Sequence, residues 1–204
     1  MTKPVLYGIS NSRAFRSIWA AEELGLDYEH KAVSFREDSK SPEYLAVNPN
    51  GRIPALVDGD LKLFESMAIN MYLSRTYGEG LLPPGSEAEA LTWQWSVWGI
   101  SEIEPLQMDI VIQTFFVPEE KKDPAVVARA EKALQRPLAV LDAQLKDQAY
   151  LLGDEFTLAD LNLAGVMDLL NMVQLDVSAF GNVRRWLDAC YSRPSYAAAK
   201  AVGV

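Results

Sequence analysis

The stretch NPNGRIPALVDGDLKLFESMAI, residues 48–69, constrains the fold more than any other part of the chain. Its apolar run Ala55–Val57 follows Pro54 and ends at the turn signal Asp58–Gly59. Leu61–Phe64 then alternates around one lysine, which is typical of a half-buried strand. The stretch therefore predicts a β-hairpin.

Glu65 and Ser66 stand where that hairpin meets a helix. A helical pattern begins directly after them, with Met67, Ile69–Met71 and Leu73–Ser74. The free N–H groups and the dipole at a helix start favour an anion, and a serine there caps the helix or binds a ligand carboxylate. This junction is the first candidate binding site.

Composition and charge narrow the class of protein. With 204 residues, 49% hydrophobic and 23% charged, the chain can form one large or two small globular domains. Its net charge of −9 disfavours nucleic acid or an anionic membrane as a partner. One cysteine allows no internal disulfide, and no apolar run resembles a signal peptide or a membrane span. We expect a cytosolic protein.

Strand signals are confined to the first part of the chain. The predicted elements are a strand Val5–Tyr7, a helix from Arg13 to Gly25, a strand Tyr28–Phe35, a weak helix Ser39–Leu45, the hairpin, and a helix that Gly78 ends. This β-α-β-α-β-β-α order contains two candidate strand-crossover units.

Leu81–Gly85 holds two prolines and a glycine and is the best linker in the chain. Only helices are predicted beyond it: Ser86–Phe116 with a bend at Pro105, Pro124–Ala149, one opened by a capping box at Thr157 and Asp160, Val183–Tyr191 and Ser195–Ala201. We therefore expect domains at residues 1–79 and 87–204, joined by 80–86.

The order N-P-x-G-x-[IV]-P-A-L, a D-G turn, and E-S before a helix resembles the cytosolic glutathione S-transferase family. The all-helical second half, with its T-L-A-D segment, extends the resemblance over the whole chain. It implies an α+β fold, a thioredoxin-like domain followed by an all-α domain. In such proteins the residue matching Pro54 is cis, Ile53 presents its backbone to the cysteinyl part of glutathione, and Glu65 and Ser66 hold its γ-glutamyl end.

The resemblance implies that the site must ionise the glutathione thiol. A free thiol has a pKa near ~8.5, and lowering it by about two units requires roughly 2.7 kcal/mol. One hydrogen bond to a charged acceptor supplies about 1.5–3 kcal/mol, and a helix N-terminus adds up to roughly 1–2. One hydroxyl at the start of the first helix is therefore sufficient.

Ser12 is our candidate for that hydroxyl, because its place four residues before Arg16 is similar to serine-type members, theta-like and many bacterial ones. Asn11 occupies the phi-type position, and Ser10 fits if the loop is longer. Ser12 as a mere N-cap is the structural alternative. We interpret Tyr7 as a residue that lines the site, with the catalytic role of a tyrosine-type member as the alternative. The only cysteine, Cys190, lies far from this loop, which excludes a cysteine mechanism.

Other residues enter through the same resemblance. Lys40 and Arg52 are candidates for the glycyl carboxylate, and the arginine fork suits that group well. The lone His30 has no partner pattern and is interpreted as structural. No cluster of side chains suggests a metal, and glutathione enters as a co-substrate without any other cofactor.

We therefore predict a serine-type glutathione transferase, bacterial theta- or phi-like, acting in detoxification as a homodimer on apolar electrophiles. The helical domain should supply the electrophile pocket, with candidates Trp98, Ile100, Met108, Phe115 and Phe116. Two alternatives stay open. One is a weakly catalytic or non-catalytic binding or scaffold protein on the same fold, and the other is a glutathione-dependent isomerase or dehalogenase.

Overall fold

The computed structural model describes residues 3–78 and 80–203. These residues form two compact units, one that runs to Pro84 and also holds the segment from Tyr191 onward, and one from Gly85 to Cys190. The change of unit after Pro84 falls within the predicted linker. Met1, Glu79 and Val204, where predicted domains begin or end, lie outside the described residues.

A four-stranded sheet forms the centre of the first unit, with the strand order β2-β1-β3-β4. Its strands are β1 Val5–Tyr7, β2 Glu29–Lys31, β3 Ala55–Asp58 and β4 Leu61–Phe64. β1 pairs with β2 in parallel, and β3 runs antiparallel to both β1 and β4. The predicted hairpin is therefore confirmed, but only one of the two candidate crossovers, through the first helix, joins parallel neighbours.

The helices of the first unit are α1 Phe15–Glu23, α2 Pro42–Leu45, α3 Ser66–Tyr77 and, near the chain end, α9 Pro194–Ala201. α1 begins two residues later than predicted, with Ala14 as its N-cap. The reason is local: the Ser12 hydroxyl accepts the Ala14 N–H at 3.0 Å and forms a turn ahead of the helix. Ala14, and not Ser12, is therefore the N-cap of α1.

The second strand is shorter than predicted. Beyond Lys31 the chain turns, because the Asp38 carboxylate accepts the Ser34 N–H at 3.0 Å and Val33 packs into a buried cluster. Residues Asp38–Lys40 form a 3₁₀ turn before α2. The strand therefore ends level with the end of β1.

α9 packs on α1 within the first unit. Ser195 accepts a hydrogen bond from the Trp19 indole at 3.0 Å and donates one to the Glu23 carboxylate, which also pairs with Arg193. Residues 191–203, which the sequence assigns to the second domain, therefore belong to the same compact unit as the sheet.

The second unit contains only helices among its described elements: α4 Ser86–Trp98, α5 Glu104–Phe115, α6 Pro124–Gln144, α7 Leu158–Met172 and α8 Gly181–Tyr191, which runs one residue past the unit. α4 and α5 occupy the long helix predicted for Ser86–Phe116, but a π-helical turn, Gly99–Ile103, separates them. Pro105 lacks the N–H that would bond the Ser101 carbonyl, so the regular ladder is interrupted there.

Asp160 is the buried polar centre of the second unit. Its carboxylate accepts the Thr157 N–H and hydroxyl, completing the predicted capping box, and also the Leu151 N–H and the Trp186 indole N–H, all at 2.8–2.9 Å. Burial raises the pKa of Asp160, while these donors act in the opposite direction. No helix among the described residues is both long and apolar enough to span a bilayer.

Replacing Asp160 by asparagine should destabilise the protein by roughly 2–4 kcal/mol, because the amide NH₂ would face buried donors. Urea unfolding followed by tryptophan fluorescence measures the loss. Asp188→Asn, on an exposed position of α8, is the control and should stay within about 0.5 kcal/mol of the parent. Equal midpoints for both variants would contradict this account of Asp160.

Candidate active site

The register of the strands brings three distant parts of the chain to one end of the sheet. Tyr7, the last residue of β1, pairs with Ala55, the first residue of β3, and Ala55 pairs with Phe64, the last residue of β4. Neighbouring strands lie about 4.8 Å apart. The loop after Tyr7, the segment before Ala55 and the start of α3 therefore meet at the same end of the sheet.

The loop after β1 is fixed by close packing and by short hydrogen bonds. Gly8 has φ +138°, and a Cβ there would lie 2.3 Å from the Ala14 Cβ and 3.5 Å from the Ile53 Cβ. Only glycine fits this approach. The Ser12 hydroxyl donates to the Ile9 carbonyl at 2.6 Å while accepting the Ala14 N–H.

The three candidate hydroxyl and amide positions of this loop differ in exposure. Ser10 is buried, Asn11 is exposed, and Ser12 is half-buried. A hydroxyl that bonds both the protein and a ligand must be partly exposed, and of the three residues Ser12 meets this condition. Tyr7 packs edge-on against Tyr44, with ring centroids 5.8 Å apart.

The segment before β3 contains one residue, Ile53, whose main-chain groups have no partner among the described residues. The Ile53–Pro54 bond is cis, as predicted. Neither the N–H nor the carbonyl of Ile53 is hydrogen-bonded within the described part of the chain. Its side chain is buried, 8% exposed, so the residue is anchored while its polar groups stay available.

The carbonyl of Arg52, the residue before Ile53, accepts two hydrogen bonds. The Tyr44 hydroxyl donates to it at 2.6 Å and the Asn48 amide at 2.7 Å. Burial raises the pKa of Tyr44 to about 12, so its hydroxyl remains a donor at neutral pH. Asn48 is 1% exposed, and its own oxygen accepts the Asn50 N–H at 3.1 Å. This network fixes the backbone on which Ile53 depends.

The start of α3 forms the third part of the site. Glu65 is exposed and is the N-cap, with φ 72°, a conformation that non-glycine residues adopt rarely and at a cost. Ser66 is the first helical residue and is buried, and no side chain caps this helix. The predicted cap role of Ser66 is therefore not used, which leaves the hydroxyl for a ligand.

Two exposed basic side chains, those of Lys40 and Arg52, belong to the segments that lead to this end of the sheet. The Lys40 ammonium donates to the Gly51 carbonyl, and Arg52 is exposed. An ammonium has three donors, so Lys40 retains capacity for an anion. The residues Ser12, Lys40, Arg52, Ile53, Pro54, Glu65 and Ser66, singled out from the sequence, thus all belong to the first unit.

The sequence reading missed Tyr44 and Asn48, and it gave His30 no specific partner. The His30 Nε2 lies 2.8 Å from the Gly8 carbonyl. The partner of each of these side chains is a backbone carbonyl, and no residue pattern marks such a partner. No group of metal-ligating side chains occurs within the residues described.

Comparison with known proteins agrees with this geometry. The family descriptions "Glutathione S-transferase, N-terminal domain" and "Glutathione S-transferase, C-terminal domain" match residues 4–75 and 103–194. Glutathione S-transferase 3 of Zea mays is 37% identical over 202 residues, with 94% of this chain and 90% of that protein covered. A glutathione S-transferase of Hyoscyamus muticus is 34% identical, covering 95% of this chain and 96% of that protein.

A solved structure is similar to this chain over nearly its whole length. The theta class glutathione S-transferase from Xanthomonas axonopodis pv. citri, with glutathione bound, superimposes with a TM-score of 0.89 at 30% identity, covering 99% of each chain. The present chain belongs to the glutathione S-transferase family. The expected α+β fold, thioredoxin-like and then all-helical, is thereby confirmed.

Asn48→Ala should destabilise the protein by about 1–3 kcal/mol, because it removes a buried amide, leaves the Arg52 carbonyl with one donor and frees Asn50. Chemical unfolding measures this. Asn171→Ala, at an exposed position of α7, is the control and should stay within about 0.5 kcal/mol of the parent. A neutral Asn48→Ala would contradict the role assigned to this network.

Proposed function

We propose that the chain conjugates the thiolate of glutathione to apolar electrophiles, with a bond formed between its sulfur and the electrophile, and that Ser12 stabilises the thiolate. The proposal rests on three groups that meet at one end of the sheet. They are the Ser12 hydroxyl, the Ile53 main-chain groups without a partner among the described residues, and the start of α3. These groups match a tripeptide with an anionic end and a thiol. The glutathione bound to the similar Xanthomonas enzyme supports the same ligand here.

Glutathione would be held by groups of different kinds. The Ile53 N–H and carbonyl would form main-chain hydrogen bonds with the cysteinyl backbone of glutathione. Ser66 and the free N–H groups of α3, with Glu65 on the amino group, would hold the γ-glutamyl end. Lys40 and Arg52 would attract the glycyl carboxylate, and Pro54 shapes the turn beneath.

Thiolate stabilisation by Ser12 requires an exchange of hydrogen bonds. The hydroxyl now donates to the Ile9 carbonyl at 2.6 Å and would rotate to the sulfur when glutathione binds. A neutral hydrogen bond contributes about 0.5–1.5 kcal/mol and one to a charged acceptor about 1.5–3. The exchange therefore gains roughly 1–1.5 kcal/mol, which corresponds to about one pKa unit of the thiol.

The Ala14 N–H assists this exchange. It donates to the Ser12 oxygen at 3.0 Å and continues to do so after the hydroxyl hydrogen has turned. An accepted hydrogen bond polarises the hydroxyl and makes it a better donor. The positive end of α1, which begins at Phe15, adds to the same field.

The electrophile would be bound by apolar side chains of the second unit. Phe115 and Phe116, at the end of α5, are each 53% exposed, which is unusual for such large apolar residues. Trp98 packs edge-on against Trp95, 5.2 Å between ring centroids, so it is tied into the packing of α4. We therefore favour the two phenylalanines as contacts of the electrophile.

Ser12→Ala should raise the pKa of enzyme-bound glutathione by about one unit and leave its affinity nearly unchanged. Ser66→Ala should do the reverse, weakening binding roughly tenfold or more without moving that pKa. The thiolate absorbance of bound glutathione against pH, together with calorimetry, separates the two effects.

An unshifted titration for Ser12→Ala, with a shift for Asn11→Ala or Ser10→Ala, would assign the role to another residue of the loop. Binding without turnover across a panel of electrophiles would instead favour the non-catalytic alternative. Loss of glutathione binding in the parent protein would contradict the proposal as a whole.

We further propose that the protein acts in the cytoplasm, in detoxification, as a homodimer. Cys190, the one cysteine of the sequence, is buried, which is compatible with a reducing compartment. Trp93, Val97 and Ile100 lie on one helical stripe and are 38%, 56% and 38% exposed, an apolar face suited to a second copy.

Light scattering on the purified protein should give twice the chain mass, and Val97→Glu should give the mass of a single chain. A parent protein that is monomeric at micromolar concentration would contradict the dimer.

A further inference from the structure

Both polar backbone groups of Gly8, the first residue of the loop that carries Ser12, are bonded to β2. The Gly8 N–H donates to the Lys31 carbonyl at 3.0 Å. The Gly8 carbonyl lies 2.8 Å from the His30 Nε2. A carbonyl oxygen can only accept, so Nε2 carries the hydrogen, which defines the tautomer of a neutral imidazole. The first bond is main chain only, whereas the second depends on the side chain of His30.

The Gly8 carbonyl is one peptide away from the group that orients Ser12. The Gly8–Ile9 peptide is planar, so the direction of the Gly8 carbonyl sets the position of Ile9. The Ile9 carbonyl in turn receives the Ser12 hydroxyl at 2.6 Å. Tilting that peptide would move the acceptor from which the Ser12 hydrogen must turn to reach the thiolate.

The imidazole of His30 is itself held from the other side by the chain end. A Cβ on Gly203, which has φ +60°, would lie 2.4 Å from His30 Cε1, so the Gly203 backbone lies directly against the ring. The segment that leads there is fixed by the bonds of Arg193 and Ser195 to Glu23 of α1. The ring is therefore confined between the chain end and the loop.

We propose that His30, held in place by Gly203, is a positioning residue that orients Ser12 through the Gly8 carbonyl. The inference rests on the proposed role of Ser12 and adds to it a support from the last residues of the chain. His30 would not touch the substrate. Its role is to fix the peptide that precedes the Ile9 carbonyl, so that the hydroxyl is aimed at the sulfur before glutathione arrives.

The test compares variants that differ in the donor. His30→Leu removes the donor, whereas His30→Gln offers an N–H of its own at a similar reach. Glu29→Gln, at an exposed neighbouring position of the same strand, is the control. Each variant is titrated by the thiolate absorbance of bound glutathione, and kcat is followed against pH. A structural defect alone would change the amount of folded protein without moving these pH profiles.

His30→Leu should raise the pKa of bound glutathione by about 0.5–1 unit, with affinity within about twofold. At neutral pH its kcat should fall roughly three- to tenfold and recover as the pH rises. His30→Gln should return most of the shift, and Glu29→Gln should match the parent. A His30→Leu variant that titrates like the control, or a His30→Gln variant as impaired as His30→Leu, would overturn the inference.

Gly203→Ala keeps His30 but displaces its ring, and it serves where His30→Leu does not fold. It should shift the same pKa in the same direction, and an unshifted titration of Gly203→Ala overturns the inference. The proposed function fails in a different way: the parent protein would then show no lowered thiol pKa at all. That result would contradict both the proposed function and the positioning role of His30. A lowered thiol pKa in the parent, with no shift in the His30 and Gly203 variants, would contradict the positioning role alone.

Discussion

The antiparallel pairing of β1 with β3 is the interaction on which the site depends. Leu6 pairs with Leu56, and both side chains are buried, 1% and 0% exposed. A slip of the register by one residue would turn these side chains to the opposite face, which burial forbids. The same register aligns Tyr7 with Ala55, and so joins a loop from the first residues of the chain to a turn almost fifty residues later. The site is therefore specified by packing in the sheet rather than by its own residues.

Around that pairing, the site is built largely from backbone groups held in uncommon conformations. Gly8 allows the loop to approach Ala14, and Glu65 has a positive φ. The Arg52 carbonyl is satisfied by Tyr44 and Asn48, so Ile53 can keep its own N–H and carbonyl unpaired. A buried residue with available backbone groups is otherwise costly, and here a bound peptide can satisfy them. In the proposed complex, affinity for a tripeptide would follow from these unpaired groups at one end of the sheet.

The sequence predicted the elements whose signals are local. The hairpin with its Asp58–Gly59 turn and the capping box of α7 were predicted where they occur, because each depends on neighbouring residues. Asn48, by contrast, acts through a carbonyl four residues away, and His30 through one 22 residues away. In both cases the bonded atom is a main-chain oxygen, which no pattern of side chains marks. The grouping of residues 191–203 with the first unit was missed for the same reason, since it depends on tertiary contacts of Glu23.

In the proposed mechanism, Ser12 has two roles that compete for its one hydroxyl hydrogen. In the free protein the hydroxyl hydrogen completes the loop by bonding Ile9, and in the proposed complex it would bond the thiolate. A site with a free hydroxyl would stabilise the thiolate more, but its loop would be less ordered, and the ordering entropy would then oppose binding. Because the chain carries a net charge of −9, long-range attraction cannot compensate for a disordered loop. A preorganised hydroxyl that exchanges a neutral acceptor for a charged one is therefore the arrangement that this acidic protein can use to bind an anion.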